Sequence, residues 1–212
     1  MTPVARLQAV IDLLTEIDET PRPADAVISA FFRNRRYIGS KDRSAVAETV
    51  YAVLRRHARL AWWLERAGHP ATPRARAIAN AILADGKSAA TVASLFSGGK
   101  FAPAPFDAAE SRLAAALDTH TLEHPAMPDP VRVECPAWAE GPLRDALGDR
   151  FVPEMQALLE AAPLDLRVNP VRADRDTARA ALEKAGITAR PTRWSSGRSE
   201  EHTSELQSLA YL

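Results

Sequence analysis

Apolar residues recur at helical spacing through the first half of the chain. After Thr2 and Pro3, a polar cap followed by a proline suited to a first helical turn, Val4, Leu7, Val10, Ile11, Leu14 and Ile17 fall on one stripe. Pro21 and Pro23 end that segment, because proline lacks a backbone donor and crowds the turn before it. A second helix is predicted over about 24–35 with Val27, Ile28, Phe31 and Phe32 inward, Gly39 as the turn after it and Ser40 as the cap of the next. Val46, Val50, Val53 and Leu54 carry a third helix, which continues or re-forms through Leu60 and Leu64. Further starts stand at Thr72 with Pro73, at Ser88 and at Asp107; Gly86 and Gly98 with Gly99 are stops. Such stripes can cover one another, so an all-helical bundle is expected up to about Leu117.

The period then changes. Pro125, Pro128, Pro130 and Pro136 mark a connector, followed by helices expected near 137–147 and 153–162. Leu164, Leu166 and Val168 alternate with Asp165, Arg167 and Asn169, the period of two of a half-buried strand. A short helix over 176–185 stops at Gly186, and 187–192 is a candidate second strand. This is the opening β-α-β of a small α+β subdomain, and two strands cannot bury themselves alone. The expected fold is therefore mainly α: a helical domain over 1–125, a connector with linking helices over 126–162, and an incomplete ferredoxin- or RRM-like α+β subdomain over 163–197. The segment from Arg198 to Ser208 reads as the translation of a widely used sequencing adapter. Residues 198–212 are accordingly expected to carry no function and make no specific contact, with the natural chain breaking off near Gly197.

Composition narrows the function classes. At 46% hydrophobic the chain can build a real core, and no apolar run approaches the ~18 residues of a membrane span. Without a basic-then-apolar leader, a cytoplasmic location and no membrane partner are the expectation. The single cysteine, Cys135, has no partner for a disulfide or a zinc site and is expected to be a small buried hydrophobe. His120 and His124 have the spacing of a helical metal pair but sit in the proline-rich connector, so no metal is expected. Glu16, Asp18 and Glu19 read as a solvated acidic patch, and Gly98-Gly99-Lys100 lacks the preceding strand and spacing of a phosphate loop.

Net charge is zero, yet it is unevenly spread. From Arg33 to Arg76 eleven Arg or Lys face three acids (Asp42, Glu48, Glu65), 11 − 3 = +8. Arg33, Arg35, Arg36, Lys41, Arg43, Arg55, Arg56 and Arg59 form the candidate RNA-binding set, a surface suited to several phosphates at once. The plain alternative is a solvated face with cations at helix C-termini. Trp62 and Trp63, being adjacent, cannot both enter one core from a helix; packing between helices and base stacking are the two readings.

The run from Ala30 to Arg43 (AFFRNRRYIGSKDR), followed by Val50 to Arg56 (VYAVLRR) and Trp62-Trp63, resembles the NusB-like helical domain at the front of bacterial ribosomal RNA cytosine-C5 methyltransferases of the RsmB/NOP family. The run from Ala162 to Val171 (APLDLRVNPV), with 177–187, is similar to the small α+β subdomain that leads into that family's methyltransferase core. The resemblance implies an enzyme that attacks C6 of cytosine with a cysteine and takes its methyl group from S-adenosylmethionine, with ribosomal RNA as partner. It requires two catalytic cysteines and a glycine-rich turn after a strand, and this sequence has neither, so no catalytic or cofactor residue is assigned and the chain itself is expected to be a non-catalytic monomer. Two other classes remain: a stand-alone NusB-like antitermination factor, which has no use for the strand-bearing segment over 164–192, and a purely structural bundle, which predicts no affinity for polyanions.

Overall fold

The computed structural model describes residues 1–160 and 164–192, and the backbone of 198–201. The chain divides into two compact units, Met1–Leu159 and Glu160–Leu212.

The first unit is helical. It comprises α1 (Pro3–Asp18), α2 (Ala24–Asn34), α3 (Ser40–Arg55), α4 (His57–Arg66), α5 (Pro73–Leu83), α6 (Ala89–Leu95), α7 (Ala108–Leu117), α8 (Asp129–Arg132), α9 (Ala137–Leu147), a 3-10 turn (Gly148–Arg150) and α10 (Phe151–Leu159). The expected caps are made: the Thr2, Thr72 and Ser88 side chains accept from the amides of Ala5, Ala75 and Thr91 respectively, and Asp107 with Glu110 closes a reciprocal capping box on α7. Ser40 does not cap α3; Gly39 holds the cap position without a side-chain bond, and Ser40 is the first helical residue. The third apolar stripe is broken at Arg56, where φ −111° and ψ 22° leave the helical region, so α3 and α4 are separate rods.

Helix α5 is the axis of the bundle. Every residue from Ala75 to Leu83 is buried, as a helix enclosed on all sides requires, and its alternating alanines allow α1, α4 and α7 to approach closely. Its Arg76 is 2% exposed and ion-paired with Asp18 at the end of α1, so the acidic patch expected to be merely solvated supplies the counter-charge of a buried arginine.

The expected connector is part of this unit. Met127 lies in the main core, the Leu122 amide donates to Leu83 O at 3.0 Å, and the Trp63 indole donates to Leu122 O at 2.9 Å. Prolines interrupt helices, but they do not prevent the intervening apolar side chains from being buried, and the boundary between units falls after Leu159 instead of near residue 125. Val133, Cys135, Ala139, Phe151 and Met155 form a second small core with α9 and α10.

The second unit contains β1 (Leu164–Arg167), α11 (Arg175–Lys184), β2 (Ala189–Pro191) and β3 (Arg198–Glu201), in the sheet order β1-β3-β2. Strand β3 runs antiparallel to both neighbours, pairing Leu164 with Glu201 on one side and Ala189 with Glu201 on the other. The two expected strands are thus parallel but not adjacent: a split β-α-β with a strand between them. Four residues of the tail, expected to make no specific contact, supply that strand. A ladder is made by backbone groups and asks little of the side chains, and among the described residues β1 and β2 are the edge strands of the sheet.

Three aspartates tie the fold to pH. The Glu110 amide holds the Asp107 carboxyl below the ordinary aspartate value, the Thr177 amide does the same for Asp174, and the N-terminal ammonium does so for Asp42. A carboxyl whose pKa is lower folded than unfolded stabilises the protein above its unfolded pKa, and that contribution is lost as pH falls through the folded one. The thermal midpoint is therefore expected to fall on acidification below about pH 4. In Asp107→Asn, which keeps a capping oxygen but does not titrate, the decline should be shallower; an equal decline removes Asp107 from the cause.

Candidate nucleic-acid interface

The basic set is built around two helix junctions. Helix α2 ends at Asn34 because Arg35 adopts φ −123° and ψ 59°, and the turn that follows is anchored by the buried Ile38, whose amide donates to Arg35 O at 3.0 Å. Arg43 reaches back from the first turn of α3: its Nε donates to Ile38 O at 2.7 Å and its Nη2 to Arg36 O at 3.2 Å. Two carbonyls of the turn are thus satisfied by one guanidinium, which is a clip and not a free cation. Arg35 is similarly committed, its guanidinium standing 3.6 Å above the Phe31 ring. Arg33, Arg36 and Lys41 remain exposed around this turn, and Arg33 donates to Ser29 Oγ on its own helix at 3.0 Å.

The second group lies at the other end of α3. Fourteen residues separate Lys41 from Arg55, roughly 21 Å along a helix, so the eight cations do not make one patch. Arg55 is exposed at the α3–α4 junction. Arg56 donates to Asn80 Oδ1 of α5 at 2.7 Å. Arg59, only 12% exposed, is held by Glu123 at 2.7 Å and Glu134 at 2.8 Å. Among the described residues, Arg35, Arg43, Arg56 and Arg59 are engaged with the Phe31 ring, turn carbonyls, Asn80 and two glutamates, while Arg33, bonded to Ser29, stands exposed with Arg36 and Lys41 around one turn and Arg55 lies apart.

Glu134 is the residue that sequence reasoning missed. It sits at φ 53°, in the left-handed region, and its carboxylate accepts from the Ala58 amide at 2.7 Å and the Arg59 amide at 3.1 Å as well as from the Arg59 side chain. Helix α4 has no cap from its own flanking residue, and this distant carboxylate supplies one at the positive end of the helix dipole. No local pattern announces a cap supplied from 75 or 76 positions away.

Aromatic and glycine signals resolve similarly. Trp63 is buried and Trp62 half-buried, in an edge-to-face pair at 5.2 Å; His124 lies 5.2 Å from Trp62 and His120 4.8 Å from Trp63. The histidines thus dock a loop on two indoles, and among the described residues no group of three His, Cys, Asp or Glu is placed to hold a metal ion. Gly98 takes φ 67° and donates its amide to Pro103 O at 2.9 Å; a Cβ there would stand 2.9 Å from Pro105 Cδ. This glycine makes room for a proline of the same loop and not for a phosphate. Burial pushes the Cys135 thiol up, away from the thiolate a nucleophile needs. Among the described residues no helix is long and apolar enough to cross a membrane.

The split β-α-β of the second unit is the arrangement on which a comparison turns. Residues 135–197 match the family model of the ferredoxin-like domain of RsmF/B-like methyltransferases. The matched stretch begins at Cys135, takes in α9, α10, β1, α11 and β2, and stops before β3. This stretch resembles that domain. The crystal structure of the protein PH0851 superposes with a TM-score of 0.54 at 13% identity, over 98% of this chain and 51% of that one, a likeness of fold. The present chain thus spans about half the length of that protein. No curated protein matches the sequence.

S-adenosylmethionine, which methyltransferases of this type imply, does not fit the described residues. Binding it requires backbone brought close by glycines after a strand, and neither β1 nor β2 leads into such a turn. No chemical step is assigned to these residues.

Proposed function

We propose that this chain is the RNA-positioning region of an S-adenosylmethionine-dependent ribosomal RNA cytosine-C5 methyltransferase, with a NusB-like bundle as its RNA-binding part. The match over residues 135–197 to the RsmF/B-like ferredoxin-like domain carries the reading. The order of parts agrees with it, since a helical bundle precedes a split β-α-β unit. A stand-alone antitermination factor would not need that unit. The exposed cations Arg33, Arg36 and Lys41 are the contact set, with Arg55 as an outlying contact; phosphates position the RNA, and sequence is read elsewhere.

The test is RNA binding by fluorescence anisotropy across a salt series. With three to four phosphates engaged, log affinity is expected to fall against log salt with a slope of about −2 to −4. Reversing Arg33, Arg36 and Lys41 to Glu should weaken binding to every structured RNA and flatten the slope by about two to three units, with the helical circular dichroism unchanged. Reversal of Arg144 and Arg150, which pair on the surface with Glu140 and Glu154, is the control. Equal losses from both sets mean diffuse attraction, and no binding at low salt favours a purely structural bundle.

A further inference from the structure

Beside the α2–α3 turn lies a hollow of about 660 Å³, formed by the start of α1 (Thr2, Ala5, Gln8, Ala9, Asp12), by Phe31, Arg35, Tyr37 and Ile38, and by Phe101. Its walls are chiefly apolar, but its rim is not an ordinary core edge. Tyr37 is 81% exposed and Phe101 69% exposed, and Phe101 is held at φ 68°, a conformation that costs energy in any residue with a Cβ. Neither ring is among those drawn into the buried core. Cations flank these rings along the chain: Arg36 precedes Tyr37, Lys41 follows it by four residues, and the Lys100 ammonium stands 5.1 Å from the Phe101 ring centre. Where Asp42 brings a negative charge, it is paired with both the N-terminal ammonium and Arg6. On the wall, the Gln8 amide donates to the Asp12 carboxylate at 2.6 Å, so the mainly apolar lining carries one negative charge, with the Arg35 guanidinium and the Thr2 hydroxyl as its other polar groups.

We propose that this hollow receives an unpaired nucleobase of single-stranded RNA, stacked against Tyr37 and Phe101, while Arg36, Lys41 and Lys100 take the flanking phosphates. The inference rests on the RNA-binding reading above and gives that surface a ligand class. Exposed aromatic rings beside an apolar recess offer a base a face to stack on, and cations around the recess follow the backbone that delivers it. A protein partner would bury the same rings but has no general use for the surrounding positive charge. Duplex RNA satisfies the cations alone, because its bases are already stacked.

The probe is a short single-stranded oligoribonucleotide carrying one 2-aminopurine, whose fluorescence is quenched on stacking, compared with a duplex of the same length, both added to the full chain. Quenching on binding is expected. Tyr37→Ala with Phe101→Ala should abolish it and weaken single-strand affinity by about 5- to 150-fold, leave duplex affinity within about twofold, and leave the melting curve in place since both rings are exposed. Tyr37→Phe should retain the quench. Binding of the oligonucleotide without quenching, or unchanged affinity in the double variant, overturns the base site while leaving the phosphate-binding surface standing. Failure of both RNAs to bind at low salt overturns both. Self-association of the chain that disappears in the double variant assigns the hollow to a second copy and overturns the proposal.

Discussion

Asp18→Ala is expected to destabilise the first unit by about 3 kcal/mol, the lower end of what breaking a buried ion pair costs. The effect belongs to the residue left behind. Arg76 is 2% exposed in the centre of the bundle and cannot lose its charge; with Asp18 gone its nearest described polar partner is His57 Nδ1 at 3.4 Å. Its Nε already has no hydrogen-bond partner. For a unit of this size the thermal midpoint should drop by about 6–12 °C. Asp18 itself is 41% exposed, so removing the arginine instead is much less harmful: Arg76→Met leaves a carboxylate that water can solvate and a side chain suited to the buried site. The double variant should recover most of the loss in Asp18→Ala. A midpoint within about 2 °C of the parent for Asp18→Ala alone would show that the arginine is satisfied by other means and refute the account.

Glu134→Ala should cost about 2–3 kcal/mol, for a different reason. It uncaps two amides at the start of α4 and removes one of the two carboxylates that hold Arg59. Because Glu134 lies at φ 53°, the order of variants is informative. Glu134→Gly loses the same bonds but relieves a left-handed backbone that alanine retains, so it should be milder than alanine by about 1 kcal/mol. Glu134→Gln keeps an acceptor for an amide and should be mildest. Chemical denaturation resolves these differences. If glycine proves worse than alanine, backbone strain at this position is not a significant part of the balance.

What could be read in the sequence was whatever repeats locally. The stripes in α1, α2 and α3, and the caps at Thr2, Thr72, Ser88 and Asp107, follow from spacing between near neighbours, and the structure places them there. The strand at 164–167 was legible from its alternation, as was α11 to within a residue of its start. What escaped depends on pairs distant in sequence. A count of arginines between residues 33 and 76 gives a charge, but it does not separate Arg59, held by Glu123 and Glu134, from Lys41, which stays in solvent. Prolines marked 118–136 as irregular, which is correct for most of the backbone, yet Met127 and Leu122 are bound to the bundle by contacts no periodicity encodes.

The position of β3 makes the whole sheet depend on four consecutive residues. The helices of the first unit close on one another, with α5 packed against α1, α4 and α7. The sheet is different: β1 and β2 are not adjacent, and all of their pairing runs through residues 198–201, the segment that reads as an adapter translation. Without 198–201, β1 and β2 each offer a second edge to any extended peptide nearby. Cutting the chain before Arg198 would remove the pairing partner of both strands at once, so the second unit and not the first is where such a variant is expected to associate with other chains.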